Sequence, residues 1–145
     1  NRESTWKSIK QSTTKKKILN MEIKFTANHI VYELTEDNSY LVGYADDKND
    51  TEEYVIIERA LEFDEQDISL GMNSYYIEYT DQSNSGYDIC NNVILRQNEI
   101  TFSVKNGQMD GITSITVAYK ENLIKDIKEY RKMLSDILGD RLIIE

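Results

Sequence analysis

Residues Leu123–Leu138, LIKDIKEYRKMLSDIL, decide the fold. Leu123, Ile127, Tyr130, Leu134 and Ile137 recur at helical spacing and form one apolar stripe, which Ile124 and Leu138 widen. Asn122 is placed to cap the start of this helix and Gly139 to end it. Glu121 with Lys125, and Glu129 with Lys132, add surface pairs worth roughly 0.2–0.5 kcal/mol each. The chain ahead of this stretch reads differently, as short strands. Glu22 to Phe25 alternates polar and apolar residues, and Ile30 to Leu34 follows it. Asn38-Ser39 makes a turn before a strand at Tyr40 to Ala45. Tyr54-Val55-Ile56-Ile57 is a compact apolar run of the kind found in buried strands. Strands many and short, then one long amphipathic helix, predict an α+β fold: a mainly meander-like antiparallel β-sheet with the helix packed on one face.

The remaining segments fill in that frame. Asp64 to Leu70 predicts one short helical turn, capped by Asp64 and stopped by Gly71. In Ser74 to Tyr79, residues Tyr75, Ile77 and Tyr79 share one face. Asp81 to Gly86 reads as a polar loop. Asn92 to Leu95 and Ile100 to Val104 flank the turn Gln97-Asn98 as a hairpin. Ile112 to Tyr119 alternates again after the turn Asn106-Gly107, and Leu142 to Ile144 is a short strand-like end. The chain has no proline, so turns come from Gly, Asn, Asp and Ser.

A length of 145 residues fits one domain with a self-supporting core. We expect that domain to span 21–145. Residues 1–20 read as a basic N-terminal extension, or a remnant appended ahead of a native start at Met21, because they are Ser-, Thr- and Lys-rich and carry a net charge of +5. The single Cys90 rules out an internal disulfide and suits a reducing cytoplasm. No apolar run approaches a membrane span, and Lys15 to Lys17 have no apolar stretch behind them to make a secretory signal.

Charge is where the chain departs most from an average domain. Between Glu33 and Asp88 stand sixteen Asp and Glu residues against only Lys48 and Arg59, a net charge of −14 in a chain whose total is −9. Residues 21–32 and 89–145 are each neutral by count. The acidic block holds eight aromatic residues, so it reads as folded. A one-signed field of this size repels nucleic acid and anionic membranes, and it speeds the capture of a basic partner.

Chemistry-bearing constellations are sparse. His29 is the only histidine, and neither it nor Cys90 has a local partner for a triad or zinc site. The run Asp46 to Glu53 invites a calcium reading, but it lacks the glycine such loops use for their sharp turn, and Lys48 intrudes. A solvated acidic loop fits better, and we expect no metal and no cofactor. Phosphate-cradling glycine loops are absent. Asp64 and Asp67 could serve a carboxylate-based hydrolase, and a β-rich domain of this kind could bind a small molecule or calcium. Both are alternatives to a binding protein without catalysis.

The densest motif runs Phe63-Asp64-Glu65-Gln66-Asp67, then Leu70-Gly71-Met72, an alternating strand, and Asp81-Gln82-Ser83-Asn84-Ser85-Gly86-Tyr87. At these residues the chain resembles the Immunity protein 10 family of bacterial toxin–immunity systems. Tyr44-Ala45-Asp46-Asp47 and Tyr54 to Ile57 add to the likeness, which covers roughly Met21 to Leu138 and is strongest from Asp46 to Tyr87. One departure is that Asp88-Ile89-Cys90-Asn91 stands where the family pattern would place a glycine pair. The resemblance implies a small cytoplasmic protein that binds and neutralises a cognate toxin domain and catalyses nothing. The residues themselves suggest that Gly71 and Gly86 provide turns with positive φ, that Phe63, Met72 and Tyr87 anchor the core, and that Gln66, Gln82 and Ser85 satisfy loop backbone.

The acidity points to a basic toxin, and by charge alone to a nuclease, whose cleft must hold phosphates. The residues expected to face it are Asp46, Asp47, Asp50, Glu52, Glu53, Asp64, Glu65 and Asp67, with Tyr44 or Tyr76 as aromatic anchors. We expect a monomer or a homodimer paired through an exposed edge strand.

Overall fold

The computed structural model describes residues 20–145. The reading of residues 1–19 as an extension lies outside them. Ten strands form two five-stranded sheets, and one helix of three turns covers part of one of them. The α+β class and the helix packed on a sheet face are as the sequence predicts; the strands divide between two sheets.

The meander sheet runs β2 (His29–Leu34), β3 (Ser39–Ala45), β4 (Tyr54–Ala60), β5 (Tyr76–Tyr79) and β6 (Asp81–Tyr87), each antiparallel to its predecessor. The short helix α1 (Glu65–Ser69) lies between β4 and β5. Asp64 Oδ1 accepts the Asp67 N–H at 2.7 Å and Asp67 Oδ2 accepts the Asp64 N–H at 3.0 Å, a reciprocal cap. Gly71 follows at φ +73°, where a β-carbon would be strained. The expected loop at Asp81 to Gly86 is strand β6 instead. Its polar residues hid it, yet they suit an edge strand with one side in water.

The mixed sheet has the order β1 (Met21–Thr26), β9 (Ile112–Ala118), β8 (Glu99–Val104), β7 (Cys90–Leu95), β10 (Leu142–Ile144). Its three central strands are an antiparallel meander, while β1 and β10 add in parallel at the edges. The two sheets bury their inner faces against each other. Val42, Val55, Ile57 and Ile77 come from one side, and Val93, Ile100, Phe102, Ile115 and Val117 from the other, all closed to solvent. Tyr44 meets Phe102 edge-on at 6.3 Å between ring centres, and Phe25 meets Tyr79 at 6.4 Å.

Helix α2 (Ile127–Leu138) buries Tyr130, Met133, Leu134, Ile137 and Leu138 and packs on the inner side of β2, β3 and β4. It starts later than its apolar spacing predicts. Glu121–Leu123 is a separate 3-10 turn, Leu123 is 37% exposed, and the cap is Asp126, whose Oδ1 accepts the Glu129 N–H at 3.1 Å. Asn122 therefore caps nothing on this helix. The expected pairs shift as well: Glu121 falls outside the helix, and Lys132 reaches Asp136 Oδ2 at 2.9 Å, one turn on. Gly139 ends the helix as expected, at φ 53°.

Where helix and sheets converge, the hydroxyls of three buried tyrosines meet. Tyr44 and Tyr130 share a hydrogen bond of 2.7 Å, and Tyr130 and Tyr119 one of 3.0 Å. Burial pushes all three hydroxyls above their ordinary pKa, so they act as neutral donors and acceptors. Replacing Tyr130 by Phe removes the central member and leaves two buried hydroxyls short of a partner. The expected loss is about 1–3 kcal/mol in denaturant unfolding, with Tyr119→Phe, at the end of the chain, costing less. Equal effects at the two positions would show that the bonds are not a connected network.

Candidate functional site

The inner face of the meander sheet is filled, and its outer face is open. Strand alternation assigns residues to that outer face through the register: His29, Val31 and Glu33 on β2, Leu41, Gly43 and Ala45 on β3, Tyr54, Ile56 and Glu58 on β4, Tyr76 and Glu78 on β5, Ser85 and Tyr87 on β6. The run Tyr54 to Ile57 was expected to be buried as a unit. It is buried only at Val55 and Ile57, while Tyr54 and Ile56 turn outward and remain half-exposed. By contrast, the outer face of the mixed sheet carries Thr101, Ser103, Ser114 and Thr116, with Thr101 and Thr116 bonded across strands at 3.0 Å.

Two depressions mark the open face. A groove of about 470 Å³ lies over β2, β3 and β4, among Val31, Leu41, Ile56, His29 and Tyr54. A tighter cleft of about 260 Å³ lies toward α1, among Ser39, Glu58, Phe63, Asp67, Met72, Tyr76 and Tyr87. Side chains around them are held in place. Tyr54 and Tyr76 each donate a hydroxyl to Glu78, Tyr76 to Oε1 at 2.6 Å. Ser39 Oγ donates to Glu58 Oε2 at 2.7 Å, and the Tyr76 and Tyr87 rings lie 5.3 Å apart.

The predicted partner-facing carboxylates fall into two groups, at opposite ends of β4. Asp46, Asp47, Asp50, Glu52 and Glu53 occupy the β3–β4 loop; Asp64, Glu65 and Asp67 occupy α1 and its cap. A seven-residue strand separates them by roughly 20 Å. Asp47, Asp50, Glu52, Asp64 and Glu65 are exposed. The others brace the structure. Asp46 Oδ1 accepts the Glu52 N–H at 3.0 Å, and Glu53 Oε2 accepts the Tyr79 hydroxyl at 2.7 Å. Asp47 Oδ1 accepts the N–H of Asp50 and of Asn49, each at 2.9 Å, and these bonds lower its pKa. The same loop's carboxylates thus serve its own backbone, and among the described residues no group of three or more His, Cys, Asp or Glu converges to hold a metal. Asp64 and Asp67 likewise spend an oxygen each on the other's backbone.

Tyr44 must be corrected as an aromatic anchor. It is 1% exposed, on the inner face, with its hydroxyl in the tyrosine network. Tyr76 does lie on the outer face. Among the motif residues, Tyr87 is not in the core. It is 36% exposed against Tyr76, and Phe63 and Met72 are half-buried walls of the cleft. Gly86 has no positive φ. It is glycine because a β-carbon there would stand 2.9 Å from Ile89 Cγ2. Ser85 Oγ donates to the Gln82 carbonyl at 2.6 Å and Asp81 Oδ1 accepts the Ser83 N–H at 3.1 Å; the Gln66 and Gln82 side chains are exposed. His29 and Cys90 belong to different sheets, and burial raises the Cys90 thiol to about 11, so it is protonated at neutral pH.

Glu58, Glu78, Tyr54 and Ser39 were missed as face residues; period-two spacing within β4 and β5 was the available signal. Exposed apolar residues were missed too. Leu34, Leu61, Ile68 and Leu70 are 43–62% exposed, and the last two lie on α1 or just after it, beside its carboxylates.

A family model described as Immunity protein 10 matches residues 26–120. The chain belongs to that family. The matched span runs from the end of β1 through β9 and so contains the whole meander sheet and its open face. No curated protein matches the chain. Immunity is the general role that membership carries. Among the described residues no helix is long and apolar enough to cross a membrane.

The tyrosine–carboxylate bonds of this immunity-family face predict its response to alkali. The Glu78 hydrogen bond, with burial adding, lifts the Tyr54 hydroxyl to about 12, and burial with the Glu53 bond lifts Tyr79 to about 12. The fold favours their protonated forms, so their stabilisation is complete below the ordinary value of 10.0 and is lost as pH rises from there through about 12. Melting temperature should fall across that window. In Glu78→Gln, the tyrosinate absorbance step of Tyr54, assigned by comparison with Tyr54→Phe, should move to lower pH; an unmoved step would mean that Glu78 does not set it.

Proposed function

We propose that this protein neutralises a cognate toxin domain by binding it, without catalysis, in the cytoplasm of the cell it protects, and that the toxin surface it meets is basic. The carrying observation is how charge follows the fold. Of the sixteen acidic residues, all but Asp88 lie within the meander sheet and its connections, and both outlying clusters border its open face. Among the described residues, every ion pair falls within residues 88–145. The acidic sheet is therefore uncompensated within the described residues, and a basic partner would supply the compensation. A nuclease fits this description, since its cleft must hold phosphates. The same charge disfavours nucleic acid and anionic membranes as partners.

Complementary charge acts mainly on encounter. The triple variant Asp47→Lys, Glu52→Lys, Asp64→Lys changes exposed positions on both clusters. Against its cognate toxin domain, its association rate at low salt should fall by about tenfold or more, with a much smaller change in dissociation. Raising the salt should narrow the gap between variant and wild type. An unchanged association rate at low salt would sink the acidic-surface reading.

A further inference from the structure

The two acidic ends of the open face differ in one respect: the α1 end carries the tighter cleft, walled by the paired rings of Tyr76 and Tyr87, whereas the loop end borders a wider, mainly apolar groove with Tyr54 at its side. Glu58 is half-buried there and oriented by Ser39, which is itself 7% exposed. Asp67 lines the same cleft on the α1 side and Asp37 on the β2–β3 turn. Tyr76 and Tyr87 supply paired rings, and Met72 supplies a soft, adaptable wall. One face of Phe63 is already taken by Arg59, whose guanidinium carbon stands 5.4 Å from the ring centre. At about 260 Å³ the cleft is smaller than the roughly 300–1,000 Å³ usual for small-molecule sites, and it suits one side chain. Exposed Leu61, Ile68 and Leu70 near this end offer apolar area to exclude water around such a contact.

We infer that this cleft receives a single guanidinium group, presented by an arginine of the bound toxin. The inference rests, for its partner, on the reading above. Arginine fits better than lysine because its planar head can lie against the Tyr76 and Tyr87 rings while it forks to a carboxylate such as Glu58. A lysine ammonium offers only a point charge. The cleft thus acts at short range and slows departure, whereas the exposed clusters act at long range and speed arrival.

Two measurements test this. In the first, N-acetyl-arginine amide is titrated into the full chain and followed by NMR, with the neutral isostere N-acetyl-citrulline amide as control. Arginine should shift the Tyr76 and Tyr87 ring resonances saturably, in the millimolar range expected for one side chain, and citrulline should bind several-fold more weakly. Glu58→Gln and Tyr76→Ala should each abolish saturation, while Tyr76→Phe, which keeps the ring, should preserve it. Equal response to both probes, no response, or binding that survives Tyr76→Ala would overturn the cleft as a guanidinium receptor. Salt-insensitive self-association lost in Tyr76→Ala would also overturn it, by making a second copy the occupant. In the second measurement, Glu58→Gln with Tyr76→Ala is compared with wild type against the same cognate toxin domain. Affinity should fall by about tenfold or more, chiefly through faster dissociation. A variant that binds the toxin as tightly as wild type overturns the inference and leaves the proposed function standing. Failure of wild type itself to bind overturns the proposed function and the arginine's source, and the probe titration still decides the cleft.

Discussion

A single hydroxyl group, that of Tyr130, ties the three parts of this molecule together. It comes from the helix, bonds Tyr44 of the meander sheet, and bonds Tyr119 at the end of the last central strand of the mixed sheet. A hydroxyl buried here is tolerable only when partnered, so its position fixes helix, sheet and sheet together within hydrogen-bond tolerance. No buried side-chain polar atom among the described residues lacks a partner. The helix, sharing the inner face with the mixed sheet, uses up the apolar capacity of that side. A sheet has two faces, and what remains is an outer face with Val31, Leu41 and Ile56 uncovered. The open face is thus a consequence of how the core is closed.

Charge is arranged around the same division. Residues 89–145, which hold the helix and every strand of the mixed sheet but β1, carry equal numbers of acidic and basic groups and pair some of them with one another. Asp88 stands at the joint between the sheets and is the one member of the acidic block held by cations. Burial pushes its carboxyl up, but Arg141 at 3.2 Å, with Lys105 adding, outweighs burial and holds it below its ordinary value. Beyond Asp88, those acidic groups of the meander sheet that are hydrogen-bonded are held by neutral donors: backbone N–H for Asp46, Asp47, Asp64, Asp67 and Asp81, and hydroxyls for Glu53, Glu58 and Glu78. Neutral donors orient a carboxylate without cancelling its field. Self-repulsion of this kind opposes folding, so a stable fold must offset it through its core.

Much of this architecture was legible in the sequence, and the failures have physical causes. Period-two alternation, a compact apolar run at Tyr54 to Ile57 and turn signals between them located nine of the ten strands, and helical spacing found the C-terminal helix, because burial imposes these patterns. Strand β6 escaped because an edge strand with exposed Asp81, Gln82 and Ser83 buries too little to show a pattern. The helix start was misplaced by four residues because Ile124 is buried, yet in extended backbone ahead of the helix. Face assignment was the harder limit. Alternation says that Tyr44 and Ala45 point opposite ways but not which way is inward, and aromatic residues occur on both sides of this sheet. The register with Val55 settles it for Tyr44, and register is a long-range fact. For the same reason the carboxylates were legible as a block, while the cleft was not. Ser39, Glu58, Phe63 and Tyr87 come from four separate segments.

The separation of the two acidic clusters by the length of a strand carries a further consequence. A Debye length at physiological salt is about 8 Å, well under their roughly 20 Å spacing, so the clusters act on a partner as two independent fields. One is a loop stiffened by its own Asx bonds and bordered by a shallow apolar groove; the other is a capped helical turn beside an aromatic cleft. A partner that satisfies only one gains encounter rate but little orientation. A partner that must satisfy both is held at two points along one rigid strand, and two points fix its direction along the sheet. Rigidity of β4, buried at Val55 and Ile57, converts two weak and unspecific attractions into a geometric requirement. Specificity in a strongly acidic protein needs such a requirement, because charge alone would admit any basic surface.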